Sequence, residues 1–170
     1  MLTIAAAFSD LRTRTIPNWL VLAGLTLGFG INFYLFRWTG IGRSALGAAL
    51  AVAIYLPLFA LRAMGGGDLK LMAAVGAMVG ARNWFVIFML TAILGGIAAV
   101  AILLWRGLLG ITLRNAAYIL NELMHLRAPH LSVPQLSVEH PRAVTLPHGA
   151  VIAAGSLLFL TLLRFGLLYQ

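Results

Sequence analysis

The sequence predicts an all-α fold: a polytopic membrane helix bundle of about six transmembrane segments, the first of them short. The composition is the first reason. Of the 170 residues, 62% are hydrophobic and 9% are charged, whereas about a quarter of a soluble domain is charged. The second reason is that the apolar residues are gathered into stretches of about 20 residues, the length that crosses a bilayer. We therefore expect residues 1–170 to form a single membrane-embedded domain.

Short polar turns divide the chain into its predicted segments. Residues 1–9 are too short to cross a bilayer alone, and we interpret them as the end of a first spanning helix or as a half-membrane helix. The second segment begins at Pro17, which suits the first turn of a helix, and precedes a polar turn at residues 37–43. The later segments are residues 44–61, 68–80, 84–105 and 146–163, with a further tight turn at Arg82 and Asn83.

Residues 84–105 form the clearest spanning segment. It has a tryptophan at each end, Trp84 and Trp105. Indole rings favour the membrane–water interface, so we expect both rings at the surfaces of the bilayer.

Residues 106–142 differ from the rest of the chain, since they contain both glutamates. Apolar side chains recur there at helical spacing, at Leu109, Leu113, Ala116, Leu120, Leu123 and Met124. Polar side chains take the opposite face, at Arg114, Tyr118, Asn121, Glu122 and His125. This pattern predicts an amphipathic helix on the cytoplasmic membrane surface, followed by a proline-containing loop.

The basic residues indicate the orientation in the membrane. We take the turn after Asp10 as cytoplasmic and let the segments cross the membrane alternately. Eight of the 12 Lys and Arg residues then lie inside and four outside, and an excess of basic residues on the cytoplasmic side is expected. The inside set is Arg12, Arg14, Arg62, Lys70, Arg106, Arg114, Arg127 and Arg142. The outside set is Arg37, Arg43, Arg82 and Arg164.

The same composition argues against several classes of ligand. Arginines at segment ends account for the net charge of +8, so we expect a lipid bilayer and no nucleic acid as partner. The chain has no cysteine, which excludes disulfides and thiolate metal sites. Its four histidines do not have metal-ligand spacing, so we expect no metal and no cofactor.

Two of the four acidic residues, Asp10 and Asp68, lie at the ends of hydrophobic segments. A carboxylate at such a position is costly and is a functional candidate by default. The predicted orientation puts both near the cytoplasmic face, where two adjacent carboxyl groups would share a proton and act as general base and general acid. The three glycines Gly65, Gly66 and Gly67 would let an extended peptide backbone approach, and would allow unusual backbone conformations.

Each feature also has a purely structural interpretation. Asp68 is equally explained as a residue capping a helix, and Asp10, close to two arginines, as half of an interfacial ion pair. The glycines alone are compatible with an ordinary turn. His148, at the start of the last helix, is explained by a structural role more readily than by a place in the site. Membrane acids also mark ion pathways, so a small proton-coupled transporter and a noncatalytic subunit of a secretion or pilus machine remain alternatives.

Three motifs resemble one family in the same order along the chain. Gly65–Asp68 matches the Gly-x-Gly-Asp signature of polytopic aspartic proteases, and Lys70 extends it to Gly-x-Gly-Asp-x-Lys. The segment from Asp10 to Ile16-Pro17-Asn18 resembles the first-aspartate motif of the type IV prepilin peptidases. Pro147-His148-Gly149 is similar to that family's closing Pro-x-Gly segment, with His148 at a position that is often aromatic.

This resemblance implies a bacterial inner-membrane endopeptidase with Asp10 and Asp68 as its catalytic pair. Such enzymes remove the leader of prepilins at the cytoplasmic face, next to the hydrophobic helix of the pilin. The chain resembles the short form found in tight-adherence (Flp) pilus systems. That form is without the paired-cysteine cytoplasmic domain that accompanies N-methylation in longer relatives, which implies cleavage without methylation.

Overall fold

The structure is a computed structural model that describes residues 2–13, 15–61, 64–107, 110, 112 and 148–166. Within these ranges the chain forms helices and no strand. They are α1 (Leu2–Thr13), α2 (Asn18–Ala60), α3 (Gly66–Trp105) and α4 (His148–Arg164). The all-helical prediction is confirmed for these ranges, whereas the predicted surface helix and loop lie almost entirely outside them.

The two long helices are the candidate membrane spans. α2 and α3 have 43 and 40 residues and are long and apolar enough to cross a membrane, and α4 is a shorter apolar helix. Many large apolar side chains on them are exposed, including Tyr34 and Trp38. An exposed apolar surface of this kind is suited to lipid.

Helix α2 reverses its direction at Arg37, where φ is 57° and ψ is −136°. The hydroxyl of Ser44 donates a hydrogen bond to the Gly28 carbonyl over 3.3 Å, although the two residues are 16 positions apart. In a straight helix that separation is about 24 Å. Residues 18–36 and 38–60 are therefore two limbs of a hairpin.

Helix α3 reverses in the same way at Gly80, where φ is 78° and ψ is 167°. The indole N–H of Trp84 donates to the carbonyl of Met72 over 3.0 Å, across 12 positions that a straight helix would extend to about 18 Å. A positive φ is accessible to glycine without steric cost, so the chain turns at this residue. The limbs are residues 66–79 and 81–105.

The first predicted turn between these limbs was in the right place but too long, and the second was misplaced. Residues 38–43 are helical, because the reversal takes only Arg37 rather than the whole polar stretch. Arg82 and Asn83 are also helical, because the turn occurs at the residue that tolerates a positive φ, Gly80. The predicted end of the preceding segment at about Gly80 is confirmed.

Side-chain amides satisfy the carbonyl groups that the reversal at Gly80 leaves without helical partners. Nδ2 of the buried Asn32 donates to the carbonyls of Ala77 and Met78, each over 3.1 Å. Nδ2 of Asn83 donates to the carbonyl of Val79 over 3.2 Å. Three successive carbonyls at the end of a helical limb thus receive hydrogen bonds, which stabilises the turn.

The two hairpins pack closely because glycines face each other. A Cβ at Gly47 would collide with the Gly76 carbonyl, and a Cβ at Gly76 with that of Gly47. Backbones can approach this closely only where side chains are absent, as is common between membrane helices. Helix α4 packs against α3, and α1 packs mainly against α4.

The two tryptophans of the clearest spanning segment have different environments. Trp105 is 91% exposed, as expected for an interfacial ring. Trp84 is fully buried, stacked on Phe88 with 5.4 Å between the ring centroids. The expectation for Trp84 was wrong, because its N–H has a partner inside the bundle and the ring has an aromatic neighbour.

Candidate active site

Asp10 is held by the last helix of the chain. It lies in the second half of α1 and is only 9% exposed. The backbone N–H of Gly149, in the first turn of α4, donates to its Oδ2 over 2.8 Å. A carboxylate that accepts a backbone N–H bond is fixed in orientation, and such charge-assisted bonds are stronger than neutral ones.

The contact between these helices requires a glycine. A Cβ at Gly149 would lie 2.9 Å from both Cβ and Oδ2 of Asp10. Any larger residue would push the carboxyl group or the helix away. The structure thus brings together Asp10 and Gly149, two residues singled out in separate motifs, while Pro147 lies outside the described residues.

Asp68 occupies the first turn of α3, as predicted. Its backbone N–H donates to the carbonyl of Gly65 over 3.2 Å, which closes that turn. The carboxyl group is partly buried and interacts electrostatically with both His148 and Asp10. The ends of α1, α3 and α4 therefore meet, and they bring two acids and one histidine into one site.

The glycines before Asp68 have ordinary backbone angles, and not the unusual ones that the sequence had suggested. Gly65 has an ordinary extended conformation, with φ −73° and ψ 146°, and α3 begins at Gly66. A Cβ at Gly66 would lie 3.2 Å from the ring of Phe59, and one at Gly67 would lie 3.4 Å from Ile16. The contact at Gly66 is tighter than most side chains tolerate, whereas the one at Gly67 is at the edge of ordinary van der Waals contact.

A hydrogen bond joins the first two motifs. Nζ of Lys70 donates to Oδ1 of Asn18 over 3.0 Å, across 52 positions in the sequence. Asn18 begins α2 directly after Pro17, which occupies the N-cap position. This bond fixes the start of α2 to the first turns of α3, next to Asp68. Two of the predicted site residues, Lys70 and Asn18, are thus in contact with each other, and Pro17 directly precedes Asn18.

Tyr55 belongs to the same neighbourhood and was not predicted from the sequence. It is 3% exposed and interacts electrostatically with Asp68. Its ring packs edge-on against Trp84 and Phe88, with centroid distances of 6.2 and 5.9 Å. A polar phenol in the apolar stretch 44–61 was a usable signal, because a buried tyrosine hydroxyl usually needs a polar neighbour.

No cluster suited to a metal ion is found among the described histidines, aspartates and glutamates. The side chains gathered at the site are two carboxyl groups, an imidazole and a phenol. Two neighbouring carboxyl groups can divide the roles of proton acceptor and proton donor.

These features define a helical protein with long apolar helices and a pair of carboxyl groups gathered where three helices meet. The chain belongs to the type IV leader peptidase family, whose sequence profile matches residues 1–100. The match includes Asp10 and Asp68, and it confirms the resemblance drawn from the motifs. The family and the apolar helices together indicate a membrane peptidase. Neither the curated proteins nor the solved structures give a match.

Proposed function

We propose that the protein is a membrane aspartic endopeptidase that removes the leader peptide of type IV prepilins. The observation that carries this proposal is the convergence of Asp10 from α1 and Asp68 from α3, which interact electrostatically. Membership of the leader peptidase family supplies the class of substrate. No metal or cofactor takes part in the proposed reaction.

The proposed mechanism uses the pair as an acid and a base. The ionised carboxylate accepts a proton from a water molecule, and the resulting hydroxide attacks the scissile carbonyl. The protonated carboxyl group donates its proton to the carbonyl oxygen as the tetrahedral intermediate forms. Collapse of that intermediate breaks the C–N bond, and the amine leaves with a proton from the pair.

The surrounding residues have positioning roles in this proposal. The N–H of Gly149 donates a hydrogen bond to Oδ2 of Asp10, and in this proposal Oδ1 binds the water or the shared proton. At Gly67 the Asp68 turn packs against Ile16, two residues before the start of α2. A carboxyl pair must be held within fractions of an ångström to react efficiently, and these contacts supply that restraint.

The substrate and the membrane side are further parts of the proposal. The distribution of arginines supports an active site at the cytoplasmic face of the inner membrane. A prepilin presents a hydrophobic helix next to its cleavage site, which matches a site at the ends of apolar helices. Resemblance to the short tight-adherence form supports an Flp-type prepilin as substrate and cleavage without N-methylation.

The position of the acids argues against a proton-coupled transporter. Acids that line an ion pathway are expected within the membrane and facing the bundle interior. Asp68 instead lies in the first turn of α3, and Asp10 lies in the second half of the short helix α1. An arrangement at helix ends is better suited to cleaving a peptide at the membrane surface.

The test is cleavage of a purified prepilin in detergent by the wild type and by Asp10→Asn and Asp68→Asn. Each amide preserves the shape of the side chain but cannot exchange the proton, so both variants should lose cleavage. Matched controls are Glu122→Gln and Glu139→Gln, which remove the chain's other two acids and should retain it. Wild-type cleavage by either aspartate variant would reject the pair.

A further inference from the structure

A cavity of about 500 Å³ lies between the two hairpins, away from the carboxyl groups. One wall comes from α2, with Arg43 and Leu46, and the other consists of residues 79–83 at the reversal of α3. We call this cavity the basic notch, because it is lined by two arginines, Arg43 and Arg82.

The notch exists because the α2 hairpin extends further along the bundle than the α3 hairpin. A Cβ at Gly80 would have the carbonyl oxygen of Arg43 as its nearest neighbour, at 3.9 Å, so α3 reverses at the level of Arg43. The reversal of α2 at Arg37 lies six residues before Arg43, so α2 extends about 9 Å beyond the turn of α3. The notch therefore lies above the turn of α3 and beside the part of α2 that extends past it.

The polar groups of the notch come from both hairpins. The guanidinium of Arg43 lies 4.7 Å from the centroid of the Phe36 ring, a contact that restrains it along the wall. Arg82 and Asn83 project from the first turn after Gly80. Guanidinium groups match the oxygens of a phosphate by paired, charge-assisted hydrogen bonds.

The position of the notch along the bundle places the two arginines near the phosphate groups of lipids. The limb 66–79 is only about 20 Å long, whereas the hydrocarbon core of a bilayer is about 30 Å thick. If the Asp68 end of the limb lies at one membrane surface, Arg43 and Arg82 fall short of the other. Both side chains are exposed, and an arginine at that depth can extend its guanidinium group to the headgroup phosphates.

We propose that the basic notch binds a phosphate group, presented by an anionic lipid headgroup or as a free phosphate ion. Arg43 and Arg82 supply the charge, and the shortened α3 hairpin supplies the space. This site is independent of the peptidase reaction, and its test does not depend on cleavage.

The experiment is native mass spectrometry of the full chain released from detergent micelles that contain phosphatidylglycerol. A parallel sample contains diacylglycerol with the same acyl chains, which is without a phosphate. We expect a one-to-one adduct with phosphatidylglycerol and none with diacylglycerol. Equal retention of both lipids would overturn the proposal, because binding would then depend on the chains alone.

Charge variants locate the site. The double variant Arg43→Gln/Arg82→Gln should bind phosphatidylglycerol about ten-fold more weakly, as expected for the loss of charge-assisted hydrogen bonds. Arg106→Gln/Arg164→Gln removes the same charge outside the notch and should bind like the wild type. Arg43→Lys/Arg82→Lys keeps the charge without the paired hydrogen bonds, so its affinity should lie between those of the wild type and the glutamine variant. If Arg43→Gln/Arg82→Gln bound phosphatidylglycerol like the wild type, or if Arg106→Gln/Arg164→Gln bound it equally weakly, the notch would be rejected as the site.

Inorganic phosphate distinguishes the two sources. If millimolar phosphate displaces the lipid from the wild type, the notch accepts a free phosphate ion; if it does not, the lipid headgroup is the ligand. Either result supports a phosphate site, provided that the lipid adduct depends on Arg43 and Arg82. Circular dichroism of the variants shows whether they retain the helical fold.

Discussion

The backbone N–H of Gly149 lies 2.8 Å from Oδ2 of Asp10, so the first turn of α4 holds a carboxyl group that α1 supplies. The two residues are 139 positions apart in the sequence. The carboxyl pair of the proposed peptidase therefore depends on a helix beyond the residues 1–100 that the family profile matches.

Gly149→Ala should lower the rate of prepilin cleavage by about 100-fold, because its Cβ would displace Asp10 and ångström-scale misplacement of a catalytic group has an effect of this size. The measurement is kcat with a purified prepilin. Gly96→Ala is the control: no atom lies within 4 Å of a Cβ there, so activity should not change. Unchanged cleavage by Gly149→Ala would show that Asp10 does not need this contact.

Lys70→Met and Asn18→Ala should each reduce kcat/KM, and the double variant should be no worse than the poorer single one. The reason is that both remove the same 3.0 Å hydrogen bond between α3 and α2. The pair is exposed, so the free energy of unfolding should fall by less than about 1 kcal/mol. A double-mutant cycle of kcat/KM checks the coupling, and fully additive effects would contradict it.

Asn32→Leu should lower the free energy of unfolding by about 1–3 kcal/mol, because the carbonyls of Ala77 and Met78 would lose a buried donor. Reversible unfolding in mixed micelles measures this change. Thr26→Ala is the control, since that exposed hydroxyl bonds only carbonyls of its own helix, and it should alter stability by at most about 0.5 kcal/mol. Equal stability of Asn32→Leu and the wild type would mean that the amide does not stabilise the turn.

Gly47→Ala should destabilise the bundle by about 1–3 kcal/mol, because the added methyl group would meet the backbone of Gly76, which cannot move aside like a side chain. Thermal unfolding in detergent measures the loss. Gly42→Ala changes the same limb of α2 at a position with no atom within 4 Å and should be neutral or stabilising. If both variants unfold alike, the hairpins do not pack through these glycines.

The two carboxyl groups of the candidate site were recognisable in the sequence because they stand out locally. Asp10 and Asp68 are rare charges in an apolar chain, and Gly65–Asp68 is a contiguous motif at a helix start. Tyr55 was missed although a phenol in an apolar stretch is a signal, and its partner Asp68 could not be named because that depends on how α2 packs against α3. The burial of Trp84 was also missed, because burial depends on Met72 and Phe88 being folded against it.

The sequence by itself determined the helical class, the apolar character and the two carboxyl groups. These features are visible within short stretches of the chain, as hydropathy, glycine runs and isolated charges. Only the tertiary structure decided that α2 and α3 are hairpins reversing at Arg37 and Gly80. It also decided that Gly149 meets Asp10, and that a basic notch opens where one hairpin is shorter than the other. Such contacts join residues far apart in the chain, and they depend on how the helices pack together.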